Sequence, residues 1–340
     1  MSKVCIVGTG TWGTAAANLV ADNADEVMMW ARSPEVPASI NGEHRNPRHL
    51  QDVRLADNVR ATNSFEEAFS AADAAVLAVP SSFLRATCES MAPFVPKDLP
   101  LVSLTKGIEP GTHLLMSELV ADVVGNGERV CALSGPNHAE EISRGKAAAA
   151  VVAGKPEHAE LFQGLFRNRV FRVYVSADLS GVEMCAAVKN VIALACGIAT
   201  GLDLGDNTLA ALMTRGLAEI GRFVSTCGGD PLTCMGLAGM GDLIATCTSR
   251  HSRNRSFGEA FVAGESLEDY ERRTNMVVEG ARAARSAYEL SCEKDIEAPN
   301  TRMVYAVLYE GLSLDDAIDK LLDRPSNEEF YGFAHAGEKL

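Results

Sequence analysis

The chain has no uninterrupted apolar run of the ~18 residues that a membrane span needs. Its longest candidate, residues 181–202, is broken by Glu183 and Lys189. No basic stretch followed by an apolar segment and a cleavage site stands near the start, because Lys3 leads straight into an apolar run; a cytoplasmic protein without stable membrane insertion is expected. Positive charge is scarce, with 31 Lys and Arg against 45 Asp and Glu and a formal net charge of −14. That balance argues against a nucleic-acid surface and makes any local basic cluster informative. The nine cysteines, at 5, 88, 131, 185, 196, 227, 234, 247 and 292, form no C-x-x-C pair and have no histidine at zinc-finger spacing. They read as small buried hydrophobes in a reducing compartment, and no metal site is expected. Internal repeats and low-complexity tracts are also missing, and the polar tail over residues 325–340 is expected to be loosely held.

What is present is length for two cores, at 340 residues with 47% hydrophobic content. Apolar runs at residues 4–7, 26–31, 74–79, 101–104, 130–133, 147–152 and 170–175 are separated by helix-length segments. This rhythm predicts a parallel, doubly wound α/β sheet of the Rossmann type. From Gly181 onward apolar residues recur at helical spacing with no convincing strand. The expected division is a dinucleotide-binding domain over residues 1–180 and an all-helical substrate-binding and catalytic domain over 181–340.

The first apolar run breaks into Gly8-Thr9-Gly10-Thr11-Trp12-Gly13 and continues as helix. In G-x-G-x-x-G at a strand-to-helix turn, Gly8 serves the tight turn, Gly10 the close approach of a pyrophosphate, and Gly13 the helix–strand packing. Residues just past the strand ends are the next to inspect, since ligands of open α/β sheets sit there. Lys106, in Thr105-Lys106-Gly107, is either a site cation or a solvated loop lysine. Asn137, in Ser134-Gly135-Pro136-Asn137, reads by itself first as a helix cap, with Glu140 three residues on, and second as a ligand. Lys189, followed by Asn190 in an otherwise core-forming helix, must snorkel, pair or serve a site. The basic cluster is Ser249-Arg250-His251-Ser252-Arg253-Asn254-Arg255, after Gly241-Asp242-Leu243. It suits a phosphate or carboxylate, or is an exposed basic turn. Asp242 and Glu279 carry the bland alternatives of an N-cap and a helix-start acid.

Taken in order along the chain, these motifs, with Val278-Glu279-Gly280, resemble the bacterial NAD(P)-dependent glycerol-3-phosphate dehydrogenases. The resemblance implies reversible hydride transfer between NADPH or NADH and C2 of dihydroxyacetone phosphate or sn-glycerol 3-phosphate, supplying glycerophospholipid synthesis. It implies that Lys189 is the catalytic lysine. Lys106, Gly135, Asn137, Asp242, Ser252, Arg253 and Asn254, with Lys189 itself, fall on substrate positions. Thr11, Trp12, Arg32, His49, Lys106, Ala139, Arg253, Val277 and Glu279 fall on cofactor positions, beside Gly8, Gly10 and Gly13. Two residues depart from common forms of the family: His49 stands where tyrosine is frequent, and His138 where phenylalanine is. The expected partner is a small phosphorylated substrate, and a homodimer stays open.

The residues suit that chemistry on their own terms. Reducing a ketone with hydride creates an alkoxide, which needs a proton donor and positive charge in one place, and a lysine supplies both. NAD-specific folds carry an acid ~20 residues past the glycine motif for the ribose 2′-OH. Here that strand end offers Arg32 and Ser33, which favours NADPH. The competing readings are a related two-domain hydroxy-acid dehydrogenase, with Arg253 on a carboxylate, and a non-catalytic dinucleotide sensor.

Overall fold

A computed structural model describes residues 2–325, 328, 329, 331 and 332. Within the polar tail, residues 326, 327, 330 and 333–340 lie outside the described residues. The chain divides into two compact units, one comprising Met1–Lys106 and Leu114–Leu179 and the other Gly107–His113 and Ser180–Leu340. The short segment Gly107–His113 therefore departs from the 1–180 span expected of the first domain.

The first unit is an eight-stranded sheet in the order β3-β2-β1-β4-β5-β6-β7-β8. Its elements are β1 (Lys3–Val7), α1 (Thr11–Ala21), β2 (Glu26–Trp30), α2 (Glu35–Glu43), β3 (Val59–Thr62), α3 (Phe65–Phe69), β4 (Ala74–Leu77), α4 (Ser81–Met91) and β5 (Leu101–Ser103). They are followed by α5 (Met116–Val124), β6 (Val130–Ser134), α6 (Ala139–Ile142), β7 (Ala148–Ala153), α7 (Pro156–Phe166) and β8 (Phe171–Ser176). Strand β1 is apolar without alternation because both sheet faces are covered. Val4 and Ile6 pack on one face with Met29, Val76 and Val102, while Cys5 and Val7 pack on the other with Met28, Leu77 and Leu101.

Two features of the sheet differ from expectation. β7 runs antiparallel to β6, whereas every other neighbouring pair is parallel. Periodicity carries no information on strand direction, and a change of sense near one side of a large sheet is a common arrangement. β3 had no counterpart among the expected strands, because Val-Arg-Ala-Thr is only four residues long and Arg60 on it is exposed.

The second unit is helical: α8 (Leu179–Gly201), α9 (Asp206–Thr226), α10 (Asp242–Thr248), α11 (Arg253–Val262), α12 (Leu267–Thr274), α13 (Glu279–Glu293), α14 (Pro299–Tyr309) and α15 (Leu314–Leu322). Short helical turns at Pro231–Met235 and Leu237–Gly241 join α9 to α10. α8 is the one described helix long and apolar enough to cross a membrane, yet 94% of its apolar stretch is buried in the protein. It is the central core helix, packing Val191 and Leu194 with Phe257, Tyr270, Val278 and Val304. Glycines let α11 approach it at backbone distance. A Cβ on Gly197 would stand 2.1 Å from the Arg255 carbonyl oxygen, and one on Gly258 would stand 2.5 Å from that of Leu194.

Cysteines 5, 88, 131, 185, 196, 234 and 247 are buried and form no disulfide, as small hydrophobes should be, but Cys227 is half-buried and Cys292 exposed. Burial pushes the thiols of Cys5, Cys88 and Cys131 up to about 12, so they are inert at neutral pH.

Candidate active site

In the first unit the glycine turn has the shape its spacing implies. Gly8 has φ +113°, and a Cβ there would stand 2.5 Å from the Ala78 carbonyl oxygen. A Cβ on Gly13 would stand 2.2 Å from the Gly8 carbonyl oxygen, so the start of α1 is pressed onto the turn. At Gly10, by contrast, a Cβ would meet nothing within 4 Å. That open backbone at the first position before α1 is where an anionic group has room to approach. α1 has no side-chain cap and no acid in its first turn, so its leading N–H groups are available to phosphate oxygens. The chain's own residues thus fit a dinucleotide pyrophosphate.

Around this turn the structure gathers several of the expected cofactor residues. Thr11 and His49 meet at 3.4 Å between Oγ1 and Nδ1. Trp12 is partly buried against the sheet core, and Ala139 is buried at the start of α6. Arg32, exposed just past β2, lies with its guanidinium 5.7 Å from the centre of the Phe83 ring. Buried Asn46 was not anticipated. It donates from Nδ2 to the Thr9 carbonyl and to Thr14 Oγ1, both at 2.8 Å, and so ties a distant loop to the glycine turn. No local pattern marks it.

Lys106, Gly135 and Asn137 stand past the ends of β5 and β6. Lys106 donates from Nζ to Asn137 Oδ1 at 3.4 Å. Asn137 does not cap α6, since His138 takes that position without a side-chain bond. Its Nδ2 is buried with no hydrogen-bond partner, which leaves a donor for a ligand. Gly135 has φ +147°, and a Cβ there would crowd the Ala149 carbonyl oxygen at 2.8 Å.

In the second unit Lys189, 4% exposed, does not snorkel. Its Nζ donates to Asp242 Oδ1 at 2.8 Å and to Thr246 Oγ1 at 2.6 Å. Thr246 donates in turn to the Asp242 carbonyl at 2.6 Å. Asp242 is the first residue of α10 and pairs with the lysine instead of serving as N-cap. A buried pair of this kind is held in place by its hydrogen bonds, and removing either partner strands the other charge at a cost of about 3–5 kcal/mol. Thr246 was missed in the sequence, although Asp242 and Thr246 stand four residues apart and so share a helix face. Cys247 lies beside this pair. A hydrogen bond with Cys196, and then burial, raise its thiol well above the ordinary range, so it stays neutral.

The basic turn is built against the same helix. Ser252 caps α11, accepting from Arg255 N at 3.3 Å. Arg253 is exposed at the first position of α11, while Asn254 is buried. Asn254 Nδ2 donates to Asn190 Oδ1 at 2.9 Å, and Asn254 Oδ1 accepts from Gly280 N at 2.8 Å. These bonds fix Val277 and Glu279, at the entry to α13, relative to Asn190, the neighbour of Lys189. Glu279 is the first residue of α13 and its first-turn acid, so the helix-start role holds alongside any ligand role. Among the described residues no group of three or more His, Cys, Asp or Glu could hold a metal ion.

Comparison with known proteins bears directly on these two constellations. Residues 3–160 match a family model described as the NAD-dependent glycerol-3-phosphate dehydrogenase N-terminus, and residues 178–319 match the corresponding C-terminus. The chain is 46% identical over 332 residues to glycerol-3-phosphate dehydrogenase [NAD(P)+] of Nocardia farcinica, covering 95% of this chain and 98% of that protein. It is 42% identical to the enzyme of the same name from Shouchella clausii, over 97% and 98% of the two chains. The crystal structure of glycerol-3-phosphate dehydrogenase from Coxiella burnetii superposes with a TM-score of 0.89 at 33% identity, over 95% and 99% of the two chains.

Proposed function

The chain belongs to the NAD-dependent glycerol-3-phosphate dehydrogenase family, and from that premise we propose which residues carry the reaction and how. The activity is the family's NAD(P)-dependent interconversion of dihydroxyacetone phosphate and sn-glycerol 3-phosphate, an entry to glycerophospholipid synthesis. A hydroxy-acid dehydrogenase or a non-catalytic sensor is not favoured.

Lys189 donates the proton to the C2 oxygen during ketone reduction and takes it back in alcohol oxidation. The observation that carries this assignment is the buried ammonium held by Asp242 and Thr246 at hydrogen-bond distance, in a helix that is mostly apolar and buried. Positive charge kept in a water-poor environment stabilises a developing alkoxide far better than it would in bulk water. Asp242 and Thr246 point the ammonium and prevent it from folding back onto the backbone. The Ser252-Arg253-Asn254 turn holds the substrate phosphate through guanidinium and capping N–H groups. Lys106 and Asn137, whose amide Nδ2 has no partner in the chain, bind substrate oxygens, and Gly135 keeps the backbone beside them free of a side chain.

Cofactor binding falls to Gly8, Gly10, Thr11, Trp12, Gly13, Arg32, His49, Lys106, Ala139, Arg253, Val277 and Glu279. The bound nicotinamide supplies or accepts the hydride. Gly10 and the start of α1 cradle the pyrophosphate, and Arg32 reads the adenine ribose, favouring NADPH at least as much as NADH. The enzyme works in the cytoplasm.

The test is oxidation of NADPH and of NADH by the purified protein with dihydroxyacetone phosphate. Substrate-dependent oxidation of reduced cofactor is expected, and no rate above background with either cofactor would remove the assignment.

A further inference from the structure

The helical unit contains a cavity of about 580 Å³, built from residues other than those assigned above. Its volume lies in the range that small ligands occupy, ~300–1,000 Å³. Four helices supply the walls: Ile198 from α8, Leu212 from α9, Val304 and Val307 from α14, and Ile318 from α15. These apolar walls leave the groups of a peptide backbone unpaired. They suit an alkyl chain.

The cavity is not apolar throughout, because Arg215, Arg222 and Arg324 are among its lining residues. Arg222 is the decisive one. It is 4% exposed, its Nε donates to the Glu297 carbonyl at 2.7 Å, and its guanidinium stacks 4.8 Å from the centre of the Tyr331 ring. Its Nη1 is buried with no hydrogen-bond partner. A buried charged donor without an acceptor is costly and needs an explanation.

The acceptors that could have served it are engaged elsewhere. Both oxygens of buried Glu219 are occupied by four donors, the backbone N–H groups and side chains of Asn300 and Thr301, at 2.5–3.1 Å. Glu297 accepts from Arg324 and from Tyr331 Oη. Arg215 donates to the Glu329 carbonyl. Glu328 is the remaining acid on the lining, and it is exposed.

An apolar chamber with one unsatisfied buried cationic donor is complementary to an amphiphile that carries an anionic head. We propose that this cavity binds a fatty acid, with its alkyl chain between α8, α9, α14 and α15 and its carboxylate accepting from Arg222 Nη1. The carboxylate supplies the missing acceptor, and the chain displaces nothing that the walls hydrogen-bond. The site is separate from Lys189, although α8 carries both: Lys189 is in its first half, and Ala195, Ile198 and Ala199 of its second half, with Leu202 just past its end, line the cavity.

The experiment is isothermal titration of the full-length protein with laurate below its micelle concentration, beside dodecanol, which has the same chain and no charge. Saturable binding of one laurate per chain is expected, at least tenfold tighter than dodecanol. Arg222→Met should weaken laurate tenfold or more and leave dodecanol unchanged. Leu212→Trp, which fills the chamber from a wall position ten residues before the arginine, should abolish both. Thermal unfolding of each variant controls for folding, and if Arg222→Met fails to fold, the wild-type laurate-to-dodecanol ratio and Leu212→Trp decide the matter. Unsaturable uptake, equal affinity for the acid and the alcohol, or undiminished laurate binding by folded Leu212→Trp would each overturn the proposal. Binding is read directly, so none of these outcomes depends on dehydrogenase activity.

Discussion

The two units build their sites from different materials. In the first, the glycine turn and the uncapped start of α1 are backbone features placed by local geometry, with side chains such as Lys106 and Asn137 set just past the strand ends. In the second, they are side chains held far apart in sequence, with Lys189 meeting partners 53 and 57 residues away inside a packed helical core. A backbone site binds a ligand common to many reactions and tolerates variation in its side chains. On the assignment proposed above, the side-chain site chooses the reaction. The contrast predicts that substitutions around Lys189 change kcat, whereas those in the glycine turn change cofactor affinity and stability.

The largest effect is expected at Lys189. Lys189→Met should lower kcat by about 100-fold or more with cofactor affinity near wild type, because proton donation and alkoxide stabilisation act in the transition state. Near-normal kcat would reduce the lysine to a structural ion-pair partner. Next comes Arg253→Ala, expected to lower kcat/KM for dihydroxyacetone phosphate by about 10- to 100-fold, the worth of a charged hydrogen bond. Unphosphorylated dihydroxyacetone is the comparison, with NADPH affinity measured alongside; equal loss on both substrates would show that the arginine does not read phosphate.

Arg32→Asp should shift the ratio of kcat/KM for NADPH over NADH by about tenfold toward NADH, since it replaces attraction for the 2′-phosphate by repulsion. An unchanged ratio breaks that assignment. The smallest effects separate two glycines of one motif. Gly13→Ala should destabilise the protein by about 1–3 kcal/mol, because its Cβ meets backbone at 2.2 Å. Gly10→Ala should leave stability within about 0.5 kcal/mol while weakening cofactor binding, because the space it fills belongs to no part of the chain. Thermal melts and cofactor titration of both variants check the pair, and equal melting losses would contradict it.

The same division explains how much was legible beforehand. The alternation of apolar runs and the glycine turn are local signals, so the sheet, α1 and the change to an all-helical second unit could be read directly. β3 escaped because four residues carrying an exposed Arg60 make no strand pattern, and the reversal of β7 because direction leaves no mark on composition. Lys189 stood out as a charge in a core helix with Asp242 as a candidate to orient it, but spacing could not show the pairing. Asp242 read equally well as a cap, and Thr246 as an ordinary helix residue. Only the fold brings them to one lysine. Asn137 likewise looked like a helix cap until its neighbour His138 took that position and left its amide without a partner.

The most direct test of the side-chain site replaces the lysine and supplies its chemistry from solution. Lys189→Ala leaves room beside Asp242 and Thr246 that a small primary amine can enter. Dihydroxyacetone phosphate reduction by this variant, measured against ethylamine concentration at saturating cofactor, is expected to be nearly absent without amine and to rise with added ethylammonium. A Lys189→Ala enzyme that keeps wild-type kcat without amine and gains nothing from it would contradict the role assigned to the ammonium.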